Sequence, residues 1–296
     1  MKSLKNIFVE DQKKLMIVLG IGGLLIYNIV FFIYPLLYGF YGSFHDWNPL
    51  AKTMNFIGLK NYIQIFSSQS FRNSLGTTMY FTFAVVILRT VLGLIFATLM
   101  NSITKMKSFY RSAYFLPVVM PLVAIAIIWK WIYHPRIGLL NSILGIFGIQ
   151  GINWLSNPTT SMPAIIIMTV WKELGYAIVI FIAALLNVPS QVYEAADLDG
   201  ADGINKFFRI TVPLVKPTII FILITTLINT FQHFIQILIM TKGGPAGTTK
   251  VLSYLIFEEA FNSKRYGYAS ALSIILFVII MIITFIQLKF LQEGDE

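Results

Sequence analysis

Residues 193–217, YEAADLDGADGINKFFRITVPLVKP, stand between two long apolar runs. They hold four carboxylates (Glu194, Asp197, Asp199, Asp202) and three cations (Lys206, Arg209, Lys216). The chain has only 13 acidic residues in 296, so nearly a third of them fall within nine positions. The rest of the sequence is correspondingly poor in charge. It is 57% hydrophobic and 12% charged, with mean hydropathy +0.76, whereas a soluble domain carries about 25% charged residues. So few polar groups cannot cover a water-facing surface, and a bilayer is the implied solvent for most of the chain. The net charge of +9 then marks Lys and Arg retained in cytoplasmic loops, not nucleic-acid binding.

Outward from that stretch, six apolar runs reach the ~20 residues that span a bilayer as helix. They are 15–40, 78–100, 112–132, 162–186, 218–240 and 269–290. The first is too long for a signal-peptide core, and no A-x-A pattern follows Phe40, so it is read as a span. With the N-terminus inside, segments 1–14, 101–111, 187–217 and 291–296, with Lys289 at the membrane edge, hold eleven Lys and Arg. Segments 41–77, 133–161 and 241–268 hold eight in a greater total length. That density bias places both termini in the cytoplasm.

The expected fold is therefore all-α: a polytopic six-helix membrane bundle over 15–290, a cytoplasmic segment 1–14, a tail 291–296, and one long cytoplasmic loop, 189–217. The external segments carry turn-formers and aromatics (DWNPL, GLLN, WLSNP, TKGGPAGTT) and are too short for a domain of their own. Trp47 and Trp154 suit an interfacial belt. Cysteine is absent, which removes disulfides and thiolate chemistry. His45, His134 and His233 lie far apart with no metal-ligand spacing.

Within the loop the residues follow helical logic. Pro189 and Ser190 open a helix that Gly200 closes as its C′ residue. A second short helix over ADGINKFFRIT stops before Pro213. Ile204, Phe207, Phe208 and Ile210 approximate one face, expected to lie against bilayer or bundle. Glu194 on the exposed side can accept charge-assisted hydrogen bonds. Ala195 and Ala196 keep that face thin, and Gly200 permits the reversal.

EAADLDGA, with Phe208, Ile210, Pro213 and Pro217, resembles the E-A-A-x-x-D-G-A…I-x-x-P signature of ABC importer permeases, and more narrowly their carbohydrate-uptake group. Further blocks in the same order extend the resemblance over nearly the whole chain. These are NFIGLKNY (55–62), FRNSLGTTMYFT (71–82), LPVVMP (116–121), IWKWIYHPRIGLLN (128–141), TKGGPAGTT (241–249) and YGYASALS (266–273). The TKGGP block resembles the first member of permease pairs of the maltose, lactose, raffinose and glycerol-phosphate type.

The resemblance implies a bacterial or archaeal cell membrane protein that is not an enzyme and has no cofactor of its own. Its implied partners are a second permease, two cytoplasmic ATPase subunits carrying ATP and Mg2+, and an extracellular or periplasmic solute-binding protein. Loop 189–217 would be the coupling helix docking on an ATPase through Glu194, Ala195, Ala196, Asp197, Asp199, Gly200, Ala201 and Pro213. The chain has no G-x-x-x-x-G-K-[ST], so hydrolysis belongs to another subunit.

Polar residues inside spans are functional hypotheses by default. Arg89 sits mid-span, where an arginine costs ~2.5–3.5 kcal/mol on insertion scales. Lys172 and Glu173 interrupt the fourth run beside Trp171 and Tyr176. On a 3.6-residue period Thr225, Asn229, Gln232 and Gln236 share one face. Amides, a carboxylate and aromatic platforms are what a sugar requires, and the resemblance places sugar-facing positions on these two helices. Thr225, Asn229 and Gln232 lead, followed by Glu173, Tyr176 and Trp171. A polar seam joining helices is the alternative use of the same residues. Arg89 and Lys172 are expected to pair with Glu173 or with carbonyls, and His233 to be packed at an interface. Two rival readings are a solitary secondary transporter or channel, for which no inverted repeat is seen, and a membrane-embedded enzyme, for which no catalytic set exists. The particular sugar stays open.

Overall fold

Backbone amides in a bilayer find no water, so apolar runs must close their hydrogen bonds internally. The computed structural model describes residues 16–17, 19–102 and 107–292 and obeys that constraint. In chain order it contains α1 (Leu19–Ser43), strands β1 (His45–Asn48) and β2 (Thr53–Phe56), α2 (Lys60–Ser67) and α3 (Gln69–Ser102). Then come α4 (Lys107–Val119), α5 (Leu122–Ile132), α6 (Leu139–Ile146), α7 (Ser161–Leu186), α8 (Ser190–Leu198) and α9 (Gly203–Leu214). The last elements are α10 (Lys216–Phe231), α11 (Ile235–Met240), α12 (Leu252–Phe257) and α13 (Tyr266–Gln292). Segment 1–14, part of segment 101–111 and the end of the tail, 293–296, lie outside the described residues.

Among the described residues four helices, α1, α3, α7 and α13, are long and apolar enough to cross a membrane, and two bent pairs raise the number to six if each pair is one span. The third and fifth expected runs are therefore corrected. The third is not one straight helix: Ser112–Val119 and Leu122–Ile132 meet at 109°. Pro121, at the junction, has no N–H and pushes the preceding residue out of the helical region. The fifth is entered from α9 through a 70° bend at Val215. It ends at Phe231 and resumes only as α11.

The all-α expectation also gains an exception. β1 and β2 form an antiparallel hairpin, His45 facing Phe56 and Asn48 facing Thr53. The Asn48 side chain accepts from the backbone N–H of Leu50 (3.0 Å), which closes the turn.

The chain divides into two compact units. One comprises Met1–Ser67 and Glu258–Ile275. In it the buried Asn61 donates from Nδ2 to the carbonyls of Ser43 (2.8 Å) and His45 (3.1 Å), tying α2 to the hairpin. Gly267 packs so closely on the His45 carbonyl that a Cβ has no room. The blocks NFIGLKNY and YGYASALS thus have a structural use here.

The other unit comprises Ser68–Phe257 and Leu276–Glu296. Its central helix, α7, packs on α3 and α4, and α10 packs on α3. Small residues set these approaches. A Cβ at Gly93 of α3 would meet the Ala177 Cβ at 2.8 Å, and one at Gly175 of α7 would strike the Tyr114 carbonyl. Two apolar layers result. One gathers Phe81, Val85, Ile125, Ile165, Met168 and Ile237. The other gathers Leu94, Ala97, Ala177, Phe181, Leu185 and Ile222. Residues 171–176 of α7 fall between them.

Gly175→Ala overpacks the α4–α7 contact and is expected to cost about 1–3 kcal/mol. Thermal unfolding in detergent will show a lower midpoint. Gly145→Ala in α6, where the new Cβ meets nothing within 4 Å, leaves it unchanged or raised.

Candidate functional site

Between the two apolar layers lies a polar one, centred on Glu173. Its Oε2 accepts from Arg89 Nη1 of α3 at 2.9 Å. Its Oε1 stands 3.2 Å from His233 Nε2, in the break between α10 and α11. The Arg89 guanidinium also lies 5.3 Å from the centroid of the Tyr176 ring. Lys172 turns the other way and donates to the Val118 carbonyl at 3.3 Å, next to the α4–α5 bend. Arg89 and Lys172 thus find the partners expected of them, and His233 packs on the same carboxylate. One acid and one cation from different helices, both largely buried, compensate each other as a buried charge requires.

The break beside His233 has no proline or glycine to announce it. Phe234 departs to φ −138°, ψ −22°, and the His233 carbonyl left without a helical partner accepts from Ser253 Oγ at 2.8 Å. This interruption corrects the expected stripe. Asn229 on α10 and Gln232 at its C-cap are exposed, and the Thr225 hydroxyl donates back to the Phe221 carbonyl at 2.8 Å. Gln236 lies beyond the break, leaves that face and is fully buried. Gln232 lines a mostly apolar groove with Phe277, Met281 and Thr284 of α13. Trp171 instead packs on Trp129 at 5.4 Å. Of the expected pathway residues, Glu173 and Tyr176 therefore meet at Arg89, while Thr225, Asn229 and Gln232 stand together on α10 and its C-cap.

A polar face of α3 escaped the sequence reading. Ser74, Thr78 and Thr82 are buried at i, i+4 spacing, and Thr78 Oγ1 accepts from Leu252 N at 2.7 Å. The repeat of four was the available signal.

At the end of α7 marked by Ser161, Asn141 of GLLN organises the surface. Its Nδ2 donates to the carbonyls of Pro135 (3.0 Å) and Ile152 (2.9 Å). Its Oδ1 accepts from Ile152 N (3.1 Å) and Trp154 Nε1 (2.9 Å). Tyr133 donates to the Ala164 carbonyl at 2.8 Å, and burial pushes its phenol up, which keeps it a donor. A cleft of about 380 Å3 opens here, lined among others by Lys130, Asn153, Trp154, Met240 and Thr241.

The acidic loop lies at the other end of α7, about 39 Å away along a 26-residue helix. Helix α8 closes on Gly200 at φ +73°. Gly200 N donates to the Asp197 carbonyl (3.1 Å) and Ala201 N to the Ala196 carbonyl (3.0 Å), the paired bonds of a Schellman cap. Asp202 then caps α9 by accepting from Asn205 N at 2.7 Å. Lys206 of α9 pairs with Asp197 of α8.

Glu194, Ala195, Asp197, Asp199, Gly200 and Pro213 are exposed, and Ala201 is half-buried. Ala196 is only 5% exposed and faces the chain itself, so it does not contribute to an outer thin face. The expected apolar face of α9 divides between the chain and its surroundings. Phe207 and Ile210 turn partly inward, while Ile204 (72%) and Phe208 (65%) stand out, as does Leu198 of α8, exposed by 90%. Leu198 was not singled out by sequence, because a lone leucine among acids reads as one more helix residue.

Among the described residues no three His, Asp or Glu converge on a metal-sized site. A family model, the binding-protein-dependent transport system inner membrane component, matches residues 89–292. The probable ABC transporter permease protein YurN of Bacillus subtilis is 32% identical over 272 residues, 90% of this chain and 93% of that one. The trehalose/maltose transport system permease protein MalF of Thermococcus litoralis is 36% identical over 261 residues, 88% of each chain. Among solved structures, a chain of a bacterial ABC transporter involved in the import of the acidic polysaccharide alginate superposes with TM-score 0.84 at 20% identity, over 100% of both chains.

Removing one partner of the Arg89–Glu173 pair leaves a buried charge uncompensated. Arg89→Met is expected to lower stability by about 3–5 kcal/mol. Arg89→Met combined with Glu173→Leu recovers most of the loss, as thermal unfolding of the single and double variants will measure.

Proposed function

Because the chain belongs to the family of binding-protein-dependent transport system inner membrane components, we propose that it forms half of the translocation path of an ABC importer for a sugar or sugar-like solute. It is a multi-pass membrane protein and a transport component without catalytic chemistry of its own. Our reading counts each bent pair as one span, giving six, with both termini cytoplasmic. The density of Lys and Arg supports that orientation. A second permease completes the path, two ATPase subunits supply hydrolysis with their ATP and Mg2+, and an external solute-binding protein delivers the cargo.

The observation that carries the reading is the capped helix pair α8–α9. It leaves the apolar side chains of Leu198, Ile204 and Phe208 exposed within the same stretch, 194–208, as the exposed acids Glu194 and Asp199. Exposed apolar side chains interspersed with charged ones are the composition of a docking surface. We assign it to an ATPase whose facing cleft is basic at its edge and apolar within. Glu194, Ala195, Asp197, Asp199 and Gly200 form the acidic rim, and Pro213 lies in the last turn of α9, which runs past it to Leu214. Ala196 acts from beneath, packing the helix onto the chain. Sugar recognition is assigned to Thr225, Asn229 and Gln232 with Glu173, Tyr176 and Trp171, which offer amides, a carboxylate and rings.

The chain has no cysteine, so Leu198→Cys provides a single thiol. In native membranes it is expected to crosslink to a soluble ATPase subunit in a nucleotide-dependent way, and free labelling without any crosslinked subunit counts against docking. Glu194→Lys is expected to leave insertion and folding intact while abolishing ATP-driven uptake. Normal uptake by that inserted variant removes the acidic rim from the docking surface.

A further inference from the structure

Among the described residues Gln236 is a fully buried amide, 0% exposed, with no hydrogen-bond partner at either Oε1 or Nε2. A buried amide is ordinarily paired, and leaving both ends unpaired costs free energy that the fold must offset elsewhere. Nothing about helix α11 requires a glutamine. Its neighbours Ile235, Ile237, Leu238 and Ile239 are all aliphatic.

Two placements give the residue a use. First, it lies three residues past His233, just beyond the break held by Glu173 and by Ser253. The bonds that fix this break come from side chains and not from the helix itself, so a second arrangement requires only that those bonds exchange. Second, Gln236 and Met240 are four residues apart on α11 and share a face. Met240 is buried and lines the floor of the cleft at the Ser161 end of α7. The amide therefore lies one helical turn beneath that floor, between the cleft and the Glu173 cluster.

We propose that Gln236 is a solute-facing residue of the translocation path, closed off beneath Met240 in this conformation and presented to the hydroxyls of the passing solute when the break rearranges. The inference rests on the importer reading. Its amide offers a donor pair and an acceptor at one point, which matches the mixed donor and acceptor character of a sugar hydroxyl. The unpaired state seen here is then the cost of the closed arrangement, relieved when the site opens.

The test uses the complex purified through a tag on this chain. Gln236→Cys and, as reference, Asn229→Cys each carry the chain's single thiol. Labelling of this chain by a small methanethiosulfonate reagent is measured without nucleotide and after trapping with ATP and vanadate. Asn229→Cys, exposed here, is expected to label. Gln236→Cys is expected to label at rates differing by about tenfold or more between the two conditions, as a shift between closed and open populations requires.

Equal rates in both conditions, fast or negligible, overturn the inference while the reference still reports a path. Failure of Asn229→Cys in both conditions, or no ATPase in the complex, sinks the importer reading and this inference with it. Gln236→Met preserves side-chain volume and supplies an independent measurement. Its unfolding midpoint holds or rises if the amide is unpaired in the closed state. A clear fall reveals a native partner and overturns the proposal.

Discussion

The carboxylate of Glu173 is the interaction on which the bundle depends. It reaches Arg89 on α3 with one oxygen and His233 in the α10–α11 break with the other, so three segments distant in sequence are fixed by one group. In an apolar surround none of the three polar side chains has a cheap alternative, because each would be left desolvated and alone. The pairing therefore specifies register as well as stability. It holds α3 and α7 at the height where the two apolar layers part, and it gives the fifth run a reason to stop being a helix.

Around that centre, close approach replaces hydrophobic drive, which is weak between helices already surrounded by lipid. Gly93 and Gly175 let α3, α7 and α4 draw near enough for side-chain groups at mid-depth to meet. Polar hubs serve the ends in the same way. Asn141 collects four bonds at one end of α7. At the other, Gly200 and Asp202 close the acidic loop with a cap on either side of one turn.

How much of this was legible in the sequence depended on whether the cause was local. The apolar runs were visible because length and hydropathy are enough to define a span, and Gly200 was visible because a left-handed cap follows from one residue type. The Arg89–Glu173 pair was legible too, since a mid-span cation must find an anion. The break after Phe231 was not, because its causes are remote: Ser253 bonding a carbonyl and Glu173 holding a histidine. Without it Gln236 sat on the stripe with Asn229. The face of α8 was misassigned for Ala196, since a 3.6-residue period cannot say which side of a short surface helix the bundle occupies. The hairpin at 45–56 was hidden by strands of four residues with no alternation to read.

The 70° bend at Val215 has a mechanical meaning. The acidic helix pair is stiffened by two caps and by the Lys206–Asp197 link, and it runs into α10 with no flexible linker between. The arrangement is a crank: a short arm at one surface, a fixed elbow, and a shaft of 16 residues, about 24 Å long. Rocking such a shaft by about 5° displaces its far tip by roughly 2 Å, given the helical rise per residue. The far tip is Phe231, two residues before His233 of the Glu173 cluster, so a push on the arm is delivered where side chains hold the break.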